Sequence, residues 1–142
     1  MGLFDFASNL GRKLFSNDAD ASEKIREHIE QNNPGIDNLS VEYQNGFVTL
    51  SGDSNDAEAV EKAILMAGNV EGVGKVVTDI DVPVESDQMD YYVIESGDTL
   101  SKLSKKYYGD AMQYDKIFQA NREVIQDPDL IFVGQKIRIP LA

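Results

Sequence analysis

The dipeptide Asn45-Gly46 constrains this chain more than any other two residues. Before it, Leu39, Val41 and Tyr43 alternate with polar positions; after it, Val48 and Leu50 do the same. Alternation is the period of a strand with one buried face, and a tight hairpin turn needs residues that tolerate positive φ, as Asn and Gly do. "LSVEYQNGFVTLSG" is therefore a β-hairpin. A hairpin alone is marginal in water, so the flanking segments must cover its apolar face.

Both flanks can. Ahead lies "DADASEKIREHIEQNNPG", a helix that Asp18 or Asp20 can cap and that Asn33-Pro34-Gly35 stops, with Ile25 and Ile29 turned inward. The lone His28 stands beside that stripe and reads as a structural residue. Behind the hairpin, "SNDAEAVEKAILMAGN" is a second helix. It has Asn55 and Glu58 at capping-box spacing and Val60, Ala63, Ile64 and Ala67 on one face. "VGKVVTDIDV" is a strand with Val76, Ile80 and Val82 on one face, which completes an α-β-β-α-β unit.

A polar break, "PVESDQMD", separates this unit from a second one that reads strand, helix, helix, strand. Leu100, Leu103 and Tyr107 line its first helix; Tyr114, Ile117, Phe118 and Asn121 line the next; Ile137 and Ile139 mark the last strand. At the start of the chain Leu3, Ala7, Leu10 and Leu14 recur at helical spacing, broadened by Phe4, Phe6 and Phe15. The expected organisation is α+β: an amphipathic leader helix over 1–17, an α/β module over 18–84, a linker over 85–90 and a second module over 91–142.

Composition excludes several functions. The absence of cysteine and the single histidine remove disulfides, thiolate metal sites and paired-histidine centres. The net charge is −12, and residues 18–85 hold fifteen acids against four bases. Such a surface repels nucleic acid and anionic membranes and attracts cations. With only Arg12 and Lys13 as bases, the leader lacks the basic face of a membrane anchor and is expected to dock on its own protein. No apolar run approaches the ~20 residues of a membrane span, and the start of the chain lacks a secretory signal, so a cytoplasmic monomer is expected. No GxSxG, HExxH or Walker pattern occurs, which argues against an enzyme. Asp18, Asp20 and Ser22 have the spacing of a calcium loop, but Glu23 and Ile29 stand where that loop needs Gly and Glu.

The remaining motif is "AGNVEGVGKV", with Gly68, Gly72 and Gly74. A phosphate loop runs from strand to helix, so that amide groups at a helix N-terminus face the anion. Here a helix enters and a strand leaves, so carbonyl oxygens and the negative end of the dipole point outward. Two readings stand. Gly68 can be the C′ residue of a plain helix stop, with Gly72 and Gly74 easing the turn. Alternatively, the carbonyls can hold a large, weakly hydrated monovalent cation.

The first module, through "VEYQNGFVTLSGDSNDAEAVEKAILMAGNVEGVGKVVTDIDV", resembles a BON domain. The second resembles a LysM domain through Ser96-Gly97-Asp98-Thr99-Leu100 and "GQKIRIP". In that order, after "MGLFDF", they resemble the small cytoplasmic potassium-binding proteins of bacteria. The resemblance implies that K+ is bound by main-chain carbonyls of Ala7 and Leu10 from the leader and of Gly68, Val70 and Val73 from the turn. It also implies that binding orders the protein and brings the domains together. LysM domains generally bind N-acetylglucosamine glycans, here implying Gly97, Asp98, Thr99 and Leu100 opposite Asp129, Leu130 and Ile131. A peptidoglycan-binding envelope adaptor is the alternative function, and a stress-related protein scaffold a third.

Overall fold

The computed structural model describes residues 5–6, 13–15, 17–80, 89–125 and 127–141. The first module begins with a 3-10 turn, Asp18–Asp20, that leads into α1 (Ala21–Glu30). Asp20 sits at the N-cap without a side-chain capping bond. Past α1, Asn33 redirects the chain: its Oδ1 accepts from the amides of Gly35 (2.9 Å) and Ile36 (2.7 Å). Such Asx geometry offers the backbone an alternative to another helical turn.

The hairpin forms as its turn chemistry requires. β1 (Asp37–Gln44) and β2 (Phe47–Asp53) run antiparallel, with Gln44 opposite Phe47 and Val41 opposite Leu50. Asn45 and Gly46 take φ of 50° and 85°. β3 (Lys75–Thr78) pairs parallel to β2, Val48 opposite Val76, giving a sheet of order β1-β2-β3. Parallel pairing demands a crossover, which α2 (Ala57–Gly68) supplies. Its cap is Asp56, not Asn55. Asp56 keeps extended dihedrals and accepts from the Glu58 amide at 3.0 Å, while the Ser54 hydroxyl holds the Asp56 amide at 3.1 Å. The two helices cover one face of the sheet, burying Ile25, Ile29, Val48, Leu50, Val60, Ile64 and Val76.

In the second module β4 (Met89–Val93) pairs antiparallel with β5 (Lys136–Pro140), and α3 (Leu100–Tyr108) and α4 (Tyr114–Ala120) pack over them. Thr99 caps α3 by accepting from the Lys102 amide at 3.1 Å, and Gly109 ends it in the left-handed region. The core is Ile94, Leu100, Leu103, Ile117, Ile125, Ile137 and Ile139.

The modules meet along α2 and β5. Every residue of α2 from Ala59 to Gly68 is buried, Glu61 and Lys62 included, which a one-faced helical pattern does not anticipate. The apolar stripe faces the sheet of the first module, and the opposite side is covered by the second. On β5 the alternation serves two partners: Ile137 and Ile139 enter the second core, while the Lys136 and Arg138 side chains reach the leader and α2. Asparagine amides cap the backbone of β5. Asn69 pairs with Lys136 (2.7 and 2.8 Å) and Asn121 with Arg138 (2.8 Å for both bonds). Amide side chains of this kind satisfy strand groups that would otherwise be buried unpaired.

The leader helix expected over 1–17 falls largely outside the described residues. Asp5 and Phe6 are described and lie against β3, Asp5 in an antiparallel bridge to Lys75; Lys13 to Phe15 carry no regular structure.

Candidate cation site at the glycine turn

α2 ends at Gly68 with Asn69 as its C-cap, the Asn69 amide returning to the Leu65 carbonyl at 3.0 Å. The chain then folds on itself: the Val73 amide donates to the Val70 carbonyl at 3.1 Å, and Gly72 turns with φ 100°. Two further bonds stitch this turn to the hairpin. The Gly46 carbonyl accepts from the amides of Gly74 (2.8 Å) and Lys75 (3.2 Å). The dipeptide that shapes the hairpin thus also anchors the glycine turn.

The carbonyl oxygens of the turn divide by their partners. Gly72 accepts from the Tyr43 hydroxyl at 3.0 Å and Gly74 from the Phe6 amide at 2.9 Å. Those of Gly68 and Val73 accept no hydrogen bond from another described residue, and Val70 retains a second lone pair beside its bond to Val73. Gly68, Val70 and Val73 are buried. Buried carbonyls at the negative end of a helix suit a desolvated monovalent cation and disfavour an anion.

Gly68 is not the left-handed C′ residue expected of it. It is the last helical residue, and its lack of a side chain serves another purpose: a Cβ there would overlap the ring of Phe6. Phe15 guards the other end. Its ring meets Tyr43 edge-on at 5.2 Å, and a Cβ on Gly72 would approach its Cζ to 3.1 Å. Ala7 and Leu10 lie outside the described residues.

Lys136 reaches this site from the second module. Its ammonium donates to the Asp5 carbonyl and stands 4.5 Å from the centre of the Phe6 ring. Burial pushes its pKa down to about 8, with the Asp5 charge opposing. Alongside, Arg138 bonds Glu61 (3.1 Å) and Glu58 (3.3 Å), and Lys62 bonds Glu123 (2.7 Å). Tyr91 donates to Glu61. Burial raises the Glu61 pKa and outweighs the lowering by Tyr91 and Arg138. Glu58 is less buried; desolvation pushes it up, but Lys62 and Arg138 together hold it below its usual value. Phe6, Asn69 and Lys136 were not singled out as site residues from the sequence. Their roles depend on partners up to 131 positions away.

The two loops with glycan-type residues also come together. Asp98, Thr99, Leu100, Asp129 and Ile131 line an open depression of about 450 Å3 with Ser101, Tyr114 and Pro128. Gly97 and Leu130 are not among its lining residues. Tyr114, expected to pack inside the module, faces this depression because it opens α4 directly after a 3-10 turn. Asp98 is held by the Tyr92 hydroxyl (2.6 Å) and the Glu95 amide (2.8 Å), so the carboxylate braces its own loop.

Among the described residues no three His, Cys, Asp or Glu side chains gather as a metal site. No helix among them is long and apolar enough to cross a membrane.

Comparison with known proteins agrees with this architecture. Residues 17–83 match the BON domain family and residues 92–140 the LysM domain family. The potassium binding protein Kbp of Escherichia coli O6:H1 is 35% identical over 147 residues, covering 99% of each chain. An uncharacterized protein of Deinococcus radiodurans is 53% identical over 49 residues, 34% of this chain and 19% of that one. YqbP of Bacillus subtilis, also uncharacterized, is 38% identical over 58 residues, 34% of this chain and 26% of that one. With near-complete coverage of both chains at this identity, and with a BON domain followed by a LysM domain, the chain belongs to the family of the potassium binding protein Kbp.

Proposed function

We propose that this protein is a cytoplasmic, monomeric, non-enzymatic potassium binder. The ion is held by main-chain carbonyls of Gly68, Val70 and Val73 together with those of Ala7 and Leu10. The observation that carries this reading is the turn itself: buried carbonyls at a helix C-terminus, with those of Gly68 and Val73 accepting no bond from a described residue. The strongly acidic first module lowers the cost of bringing a cation there. Backbone dipoles carry no net charge, which favours a weakly hydrated monovalent ion over calcium or magnesium.

Binding acts by linkage. An ion that prefers the ordered state stabilises it by RT ln(1 + [L]/Kd), on the order of 2–4 kcal/mol at concentrations well above Kd. That is enough to shift the docking of the leader and of the LysM domain. The test is a KCl titration against NaCl at constant ionic strength, read by melting temperature and scattering radius. A potassium-specific rise in the first and fall in the second are expected; equal responses to both salts refute selective binding.

The depression between Thr99 and Asp129 favours a second reading, a glycan-binding adaptor of the envelope. Sedimentation with purified peptidoglycan separates the two: the potassium reading leaves the protein in the supernatant.

A further inference from the structure

We propose that Lys136 of the LysM domain is the positioning residue that seats Asp5 and Phe6 against the glycine turn, which ties the second domain to the cation site. This rests on the carbonyl-site reading above and names the device that would transmit it. The contacts form a closed circuit. Asn69, the C-cap of α2, holds both backbone groups of Lys136 at 2.7 and 2.8 Å, which fixes β5 relative to the end of α2. From there the Lys136 ammonium bonds the Asp5 carbonyl and lies over the Phe6 ring. Phe6 rests on the bare Cα of Gly68, and its amide returns to Gly74 in the same turn.

Each link depends on the others. A buried ammonium is costly unless its protons and charge are satisfied, and here the leader provides a carbonyl and an aromatic face. Without Asp5 and Phe6 in place Lys136 loses both, and β5 is held against α2 only by the contacts of Asn69 and Arg138. With β5 withdrawn, Phe6 keeps its amide bond to Gly74 but loses the charge that holds its ring down. The seating of Asp5 and Phe6 and the docking of the LysM domain are therefore coupled. An ion that favours the seated Asp5 and Phe6 favours docking as well, by the coupling free energy between the two. Among the described residues Asp5 faces Lys136, and its carboxylate favours the ammonium.

Two amides of the intact protein report on the circuit. The Phe6 amide senses the leader through Gly74, and the Lys136 amide senses docking through Asn69. Hydrogen exchange in KCl against NaCl at constant ionic strength should slow both by a common factor. Protection of Phe6 with Lys136 unchanged overturns the proposal. Lys136→Met keeps the length of the stem and removes the charge. It should weaken potassium binding about tenfold, within the usual range of coupling between sites. Phe6→Leu should weaken it comparably, and the double variant should be little worse than either single one; additive losses, or unchanged affinity in Lys136→Met, also overturn it. A wild-type protein that fails to distinguish potassium from sodium refutes the site itself, whereas a binding wild type with an unaffected Lys136→Met refutes only the positioning role. If Lys136→Met does not fold, the exchange experiment on the wild type still decides.

Discussion

The side-chain amide of Asn69 makes two hydrogen bonds to the backbone of Lys136, 67 positions away, and both residues are buried. The residue that ends the long helix of the BON domain through its backbone thereby caps a strand of the LysM domain through its side chain. Asn69→Ala leaves the N–H and C=O of Lys136 without that partner away from water. The expected loss is on the order of 2–3 kcal/mol, the desolvation cost of two orphaned backbone groups. Urea denaturation followed by near-UV circular dichroism should show it as a lower midpoint or as early separation of the two domains.

Gly68→Ala tests the contact with Phe6. In an exposed helix the change would be favourable by up to about 1 kcal/mol. Here the new methyl collides with the ring, so overpacking should destabilise the protein by about 1–3 kcal/mol and weaken potassium binding. In a Phe6→Ala background the collision is gone, and the same substitution should become neutral or stabilising. A sign change between the two backgrounds, measured by thermal melts, is the expected result.

Arg138 neutralises the buried Glu61 across the domain interface. Arg138→Met strands that carboxylate and should cost on the order of 3 kcal/mol at neutral pH, and adding Glu61→Gln should recover a large part. The pH dependence has a definite sign. Burial raises the Glu61 pKa above 4.5, so the folded state holds this proton more tightly than the unfolded one. Its contribution to stability is complete below 4.5 and is lost as pH rises through the folded value. Removing Arg138 lifts that value further, so the variant should lose stability over a wider range toward neutrality.

Two tyrosines of the LysM domain should ionise late. Burial, then the charge and hydrogen bond of Asp90, push Tyr107 up to about 12. The hydrogen bond to Asp98, reinforced by burial, raises Tyr92 further still. Absorbance at 295 nm should therefore leave both phenols largely protonated near pH 11, about one unit above the ordinary midpoint, where the six tyrosines of the urea-unfolded chain are mostly ionised. Asp98→Asn should lower the Tyr92 midpoint. Because both folded values are raised, their stabilisation is full below 10 and lost as pH climbs through about 12.

The parts of this protein that were legible in advance are those whose causes are local. Asn45-Gly46 dictates its turn from its own dihedral tolerance, and the alternating Val48 and Leu50 dictate which face of the hairpin is buried. The carbonyl polarity of the glycine turn follows from the order helix then strand. Local rules still allowed a one-residue error at the cap of α2, because Asn55 and Asp56 are both good acceptors and it is Asp56, with extended backbone, that accepts from the Glu58 amide.

Tertiary structure alone decided what touches those elements. The helical spacing of α2 anticipates one apolar face, yet Glu61 and Lys62 are buried because the LysM domain lies against the opposite side. Gly68 reads as a helix stop by position, and only the ring of Phe6 reveals why no side chain fits there. Lys136 in "GQKIRIP" looks like one more surface base; its burial between Asn69 and the leader arises from contacts 67 and 131 positions distant. Periodicity and turn chemistry act over a few residues and are written into neighbouring side chains. The meeting of Phe6, the glycine turn and β5 depends on which buried faces find each other, and no local pattern encodes that pairing.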